Sequence, residues 1–268
     1  MLYNILGGYN MTQIINNLIY DNSKNLTVDL YLPEMPVANK ILIFWHGGGW
    51  FRGDKSELKQ LCLKVAAHGF LVFAPNYSLA PASTFPTAHA DSNKFVKWLF
   101  NSKYTSSNTT ITQIGASSGG TIALYLAGKY GFPTVTWSAP VSYSSWMKNH
   151  PKVKPAKNAQ KELGLTTLND INDAFYKFFT LTYAGSSDTT ILEKLDAASY
   201  NYQNLRQLLM INSTKELVAT RDLLDFIATL AQKNHGIDLK LIAGSKHAMS
   251  YSKQYLDESI NYLIKTTG

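Results

Sequence analysis

Two hydrophobic rhythms alternate along this chain. Gln13 to Tyr20 and Leu26 to Leu32 change polarity at about every second residue, around the polar run Asp21-Asn22-Ser23-Lys24-Asn25. That pattern predicts a β-hairpin. Pro33 and Pro36 end its second strand. Ile41 to Trp45, after Lys40, is apolar throughout, as a central strand covered on both faces must be. Ser56 to His68 places Leu58, Leu61 and Val65 at helical spacing, with Asp54 or Ser56 as cap and Gly69 as stop. Phe70 to Pro75 is the next buried strand. A helix starting at Pro86 then carries Ala90, Phe95, Val96 and Leu99.

Further strands are expected at Thr109 to Ile114, Thr134 to Trp137, Arg206 to Ile211 and Asp238 to Ile242. Helices are expected at Thr121 to Ala127, Leu217 to Leu230 and Met249 to Ile264. Strands alternating with helices predict an α/β fold with a mainly parallel central sheet. Such sheets gather their sites at the carboxyl ends of the strands.

Residues 143 to 200 break this rhythm. Lys148, Lys152, Lys154, Lys157 and Lys161 are interrupted by Pro151 and Pro155 and read as a solvated loop rather than a binding patch. An amphipathic helix, Asn169 to Thr180, follows, with Ile171, Phe175, Phe178 and Phe179 on one stripe. The segment reads as a small helical cap inserted over the site. The alternative is a helix packed at the side of the domain. No internal repeat is visible.

With 268 residues, 45% of them hydrophobic, the chain can bury one substantial core, so 1–268 is expected to be a single domain with this insertion. The net charge of +7 is thinly spread, since only 16% of residues are charged, and does not indicate nucleic-acid binding. Cys62, the single cysteine, lies in the apolar Leu61-Cys62-Leu63 and reads as a core residue. The start of the chain carries no basic-then-apolar leader, and no apolar run reaches the roughly 18 residues of a membrane helix, so a cytoplasmic protein without a membrane span is expected. Residues 1 to 10 read as unstructured, which makes Met11 an alternative start.

The chemistry centres on Gly115-Ala116-Ser117-Ser118-Gly119, a G-x-S-x-G sequence between a predicted strand and a predicted helix. A serine in that turn is strained, with its hydroxyl pointing out of the fold. The helix N-terminus offers free N–H groups to a developing oxyanion. His46-Gly47-Gly48-Gly49-Trp50 follows the central strand. Three consecutive glycines are expensive in backbone entropy, but they allow amides to approach a ligand closely. The amides of Gly47, Gly48 and Ser118 are the expected oxyanion hole.

A serine nucleophile needs a base, and the base needs a carboxylate. Of the six histidines, His46 opens the glycine loop, His68 and His235 sit near helix ends, His89 is on a helix and His150 is in the lysine-rich loop. His247 follows the last strand and is the expected base. Glu216 is the first carboxylate after the preceding strand, ahead of Asp222 and Asp225 in the following helix, and is the expected acid. The order nucleophile, acid, base suits the strand–turn–helix serine.

Together these residues resemble the α/β-hydrolase superfamily, in its esterase/lipase branch related to hormone-sensitive lipase and the small carboxylesterases. The resemblance is dense over residues 40 to 130. It covers His46 to Trp50, Asn76-Tyr77-Ser78-Leu79-Ala80-Pro81, Phe85-Pro86 with Asp91 and Trp98, and Gly115 to Gly120. It resumes at Ser213 to Glu216 and at His247. Two features depart from the family pattern. Ser213 and Glu216 stand where Gly-Thr-x-Asp is usual, and Ser118 replaces a common alanine.

The resemblance implies a helix-flanked α/β-hydrolase fold and a serine carboxylesterase working through an acyl-enzyme on Ser117. Its partner is a small ester, with no metal, cofactor or nucleic acid. Trp50, Phe175 and Phe178 are expected at the substrate pocket, and a roof of phenylalanines implies short acyl chains. An amidase, a peptidase or a sugar-ester deacetylase would use the same triad. A non-catalytic binding protein on this fold is the alternative from another class. A homodimer would form through an edge strand or the last helix, but no sequence feature marks either.

Overall fold

The computed structural model describes residues 13–37 and 39–265. Residues 1 to 10 and Met11 lie outside them. Strands β1 (Gln13–Asp21) and β2 (Leu26–Leu32) form the expected hairpin. β3 (Lys40–Trp45), β4 (Leu71–Pro75), β5 (Thr110–Ala116), β6 (Thr134–Trp137), β7 (Leu208–Ser213) and β8 (Asp238–Ile242) complete one eight-stranded sheet. Its order is β1-β2-β4-β3-β5-β6-β7-β8, with antiparallel pairing confined to β1, β2 and the β2–β4 contact. The remaining pairs are parallel.

The continuous apolar run of β3 is explained by cover on both faces. Ile41, Ile43 and Trp45 enter one core cluster, with Phe95 and Leu99 of α2 (Thr87–Phe100) and Ile122 and Leu126 of α3 (Ser118–Tyr130). Leu42 and Phe44 enter the other, with Leu61 and Val65 of α1 (Lys59–Ala67) and Leu256 and Ile260 of α9 (Ser252–Lys265). Burying each such side chain contributes roughly 1.5–3 kcal/mol. Cys62 is fully buried on the α1 side, and burial raises its thiol pKa, consistent with a packing role.

The insertion holds more helix than the periodicity predicts. It contains α4 (Ser144–Asn149), α5 (Ala159–Leu163), α6 (Leu168–Ala184) and α7 (Thr189–Leu195). The expected Asn169 to Thr180 helix is the middle of α6, which Thr167 caps by accepting from the Asp170 amide and Gly185 stops in a left-handed turn. Tyr143, Trp146, Tyr176, Phe179 and Tyr183 join the cluster under α2 and α3, so the cap and the main core are continuous. α8 (Thr220–Gln232) starts later than the expected Leu217, because the residues after β7 form a turn around the Glu216 carboxylate. Among the described residues no helix is long and apolar enough to cross a membrane.

Candidate active site

Ser117 stands between β5 and α3 with φ 51° and ψ −122°, outside the ordinary regions for a residue with a side chain. Its amide donates to Trp137 O at 2.8 Å, and its carbonyl accepts from the Gly120 amide at 2.7 Å. The turn is fixed from both sides, and Ser117 keeps 9% exposure. Helix and strand must pass closely here. A Cβ on Gly119 would lie 2.4 Å from His46 O and 2.5 Å from Trp45 O.

The glycine loop folds over this turn. A Cβ on Gly47 would meet Ala116 O at 2.8 Å and Ser117 Cβ at 3.2 Å, so the Gly47 backbone lies against the serine. Among the described residues no group accepts a hydrogen bond from the amides of Gly47, Gly48 or Ser118. For Ser118 this follows from its place as the first residue of α3. His46 shapes the loop, as expected. Its Nδ1–H donates to Gly47 O at 2.8 Å, and its ring stacks on Tyr77 at 4.3 Å. Burial pulls its pKa down to about 4, so it is neutral near pH 7.

β7 and β8 deliver the other two groups. His247 Nδ1 lies 2.6 Å from Glu216 Oε2, and its Nε2 lies 3.1 Å from Ser117 Oγ. An ionised carboxylate only accepts, so Nδ1 carries the proton and Nε2 accepts from the serine hydroxyl. The Glu216 side chain is fully buried, while that of His247 keeps 28% exposure toward the cleft. Glu216 Oε1 accepts from the Ser213 amide at 2.8 Å. The Tyr251 hydroxyl shares one proton between Lys246 O at 2.8 Å and Glu216 Oε1 at 3.3 Å. Burial, with the Glu216 carboxylate nearby, pushes the Tyr251 pKa up to about 12, so it stays a donor. Ser138 Oγ accepts from the Ala248 amide at 3.0 Å, which pins the histidine loop to the end of β6. Asp222 and Asp225 lie within α8. Neither Tyr251 nor Ser138 carries a sequence signal, because each acts through a contact distant in sequence.

A cleft of about 460 Å³ opens above Ser117 and His247. Gly47 and Gly48, Phe175 and Phe179, Leu217 and Met249, and Arg52 and Glu57 line it. The structure corrects two of the expected pocket residues. Trp50 is fully buried away from the cleft and stacks on Tyr183 at 4.5 Å. Its φ of 60° turns it under the cap, where it packs near Tyr143 and Phe179. Phe178 turns to Phe51, 5.3 Å between ring centroids, and does not line the cleft. Phe179 takes that place beside Phe175, one helical turn away on α6. An i, i+4 pair was as consistent with the stripe as i, i+3, and only packing decides between them.

Comparison with known proteins places the fold. A family model described as alpha/beta hydrolase fold matches residues 42–250. The chain belongs to this family. Among curated relatives, it is similar to carboxylesterase 20 of Arabidopsis thaliana, 25% identical over 173 residues, covering 59% of this chain and 52% of that protein. It is also similar to ethyl acetate hydrolase of Pseudomonas putida, 33% identical over 110 residues, covering 39% of this chain and 35% of that protein. The chain thus spans about half or less of these relatives. In fold it is similar to an esterase/lipase from an uncultured bacterium, with TM-score 0.71 and 16% identity over 98% of this chain and 87% of that one. An esterase of the bacterial hormone-sensitive lipase family gives TM-score 0.67 and 18% identity over 99% and 88%.

Proposed function

We propose that the protein is a serine carboxylesterase acting on short-chain esters of small molecules. The observation that carries this reading is the unbroken hydrogen-bond chain from Glu216 through His247 to Ser117. His247 Nε2 takes the hydroxyl proton as Ser117 Oγ attacks the ester carbonyl. The carbonyl oxygen becomes an oxyanion facing the amides of Gly47, Gly48 and Ser118. When the tetrahedral intermediate collapses, His247 gives its proton to the departing alkoxide, leaving the acyl group on Ser117. Water, deprotonated by His247, attacks that acyl group, and the serine recovers its proton as the carboxylic acid leaves. Glu216 stabilises the imidazolium formed in each half. Losing one oxyanion donor costs roughly 3 kcal/mol in the barrier.

The free amides beside Ser117 and the similarity to carboxylesterases and an ethyl acetate hydrolase support this reading. The close Phe175 and Phe179 wall supports a preference for short acyl groups. The test is hydrolysis of p-nitrophenyl esters of increasing acyl length by wild type and Ser117→Ala. Turnover of acetate and butyrate that disappears in the variant is expected. Equal turnover by both proteins would remove Ser117 from the mechanism, and a rate that climbs to long acyl chains would overturn the short-chain reading.

A further inference from the structure

The cleft carries a cation that the triad does not use. Arg52 lies on the turn that follows the glycine loop, its amide donating to Gly48 O at 3.2 Å. The segment that presents the Gly47 and Gly48 amides therefore also sets where Arg52 stands. Arg52 lines the same cleft as Ser117 and His247. Its guanidinium lies 5.3 Å from the Phe51 ring centroid and 5.5 Å from that of Phe175. The Nζ of Lys157, from the cap, lies 5.5 Å from the same Phe51 ring. Phe51 and Phe175 are themselves in edge contact, with centroids 6.0 Å apart.

Two cations thus lie against the Phe51 ring, and one of them, Arg52, lines the cleft. Among the described residues, neither the Arg52 guanidinium nor the Lys157 ammonium makes an ion pair or a hydrogen bond. The nearby carboxylates do not neutralise them. Asp54 accepts from the Ser56 amide and the Asn76 side chain. Glu57 lines the cleft but pairs with no cation. Stacking on aromatic rings holds a guanidinium in place while leaving its planar edge free, and that edge matches a carboxylate or phosphate.

We propose that Arg52, assisted by Lys157, forms an anion subsite of the cleft, so that the preferred esters carry a second, ionised group. Either a carboxylate on the acyl part or a phosphate on the alcohol part supplies that chemistry. The proposal rests on the esterase reading. It adds that the glycine loop fixes both the oxyanion donors and the charge selection.

The test compares matched esters. Monoethyl adipate is measured against ethyl hexanoate, and 4-acetoxybutyl phosphate against butyl acetate. The quantity read is the ratio of kcat/KM for the charged ester to that for its neutral partner. In wild type at least one ratio is expected above one, falling as sodium chloride rises from 0.05 to 0.5 M. Arg52→Gln is expected to lower that ratio at least tenfold, Lys157→Gln severalfold, and Arg52→Lys less than Arg52→Gln. The pair that responds identifies which side of the ester carries the anion. Ratios that stay within twofold in Arg52→Gln, or an equal loss on charged and neutral esters, would overturn the subsite. Absence of wild-type turnover of p-nitrophenyl butyrate would sink the esterase reading instead. Calorimetric binding of monoethyl adipate and 4-acetoxybutyl phosphate to Ser117→Ala, with and without Arg52→Gln, then still decides the subsite. Binding of either that the arginine substitution removes supports it, and no binding of either, or binding that survives, overturns it.

Discussion

The strand-end crown and the cap solve different problems with different physics. In the crown, each chemical group is set by a short turn directly after a strand. Ser117 is locked by its own strained φ and by bonds to Trp137 O and Gly120 N. Glu216 is held by an amide three residues earlier. In the cap, position comes from bulk. Trp50 stacks on Tyr183, Trp146 packs on Tyr176 at 4.6 Å, and Asp196 ties down the start of α4 through the amides of Tyr143 and Ser144 and the Ser144 hydroxyl. Backbone hydrogen bonds give the crown its precision, and aromatic burial gives the cap its adhesion. The difference implies that crown substitutions damage chemistry before stability, and cap substitutions the reverse.

Glu216→Gln breaks the crown most sharply. The amide can donate where the carboxylate accepted, so His247 loses its tautomer and its charge partner. The kcat for p-nitrophenyl butyrate is expected to fall about 10⁴-fold, with the urea midpoint changing far less than the rate. A loss under tenfold would move the acid role to another carboxylate.

Phe179→Ala tests the cap. It removes a buried ring that packs on Trp50, Tyr176 and Phe175 and that also faces the cleft. Unfolding in urea should show a loss of about 3–5 kcal/mol. The acyl-length profile should extend to longer chains. Phe178→Ala should leave that profile in place, because its ring faces Phe51 instead. The opposite pattern would return Phe178 to the pocket.

The joint between the two regions is His89 on α2. Its Nδ1 lies 2.9 Å from the Tyr183 hydroxyl and its Nε2 3.0 Å from the Tyr200 hydroxyl. The Tyr200 proton goes to Leu195 O, so Nε2–H donates to Tyr200, and Tyr183 donates to Nδ1. Burial pulls the His89 pKa down to about 3. Between that value and about 6.5 the unfolded chain binds the extra proton, so this contribution is present above pH 6.5 and is lost as pH falls. Wild type should lose stability from pH 7 to pH 5, and His89→Gln should lose roughly 2 kcal/mol less over the same interval. His46 acts in the same direction, and Asp222, pushed up to about 6 by burial, acts against it. The difference between the two proteins isolates His89. Identical pH slopes in urea titrations would remove it as the source.

Tyr251→Phe is the finest probe. Its bond to Glu216 is long, so kcat should drop only severalfold, about 1 kcal/mol in the barrier. An unchanged kcat would leave the Ser213 amide as the sufficient anchor of that carboxylate oxygen.

Local rules made much of the fold legible. The apolar run of β3, the hairpin around Asp21 to Asn25 and the glycines beside Ser117 each constrain the backbone within a few residues. The order of Ser117, Glu216 and His247 after β5, β7 and β8 could therefore be read directly, because a parallel sheet brings its strand ends to one edge. The helices α4, α5 and α7 of the insertion were not legible. Each is short; α4 and α7 are held by the main core, and α5 by Ala156 and Ala174 and its Asn158 cap, rather than by their own periodicity. Phe178 and Phe179 are equally apolar neighbours, and only the packing of α6 against the glycine loop chose which one faces the cleft. Trp50 is expected at the pocket, yet its positive φ and the ring of Tyr183 bury it. The hydrophobic pattern determined the strands of the sheet, the G-x-S-x-G glycines the serine turn, and placement after predicted strands the chain order of the site. Tertiary structure decided the cleft wall, the anchors of Glu216 and the placing of Arg52, because those depend on which surfaces meet across many residues of chain.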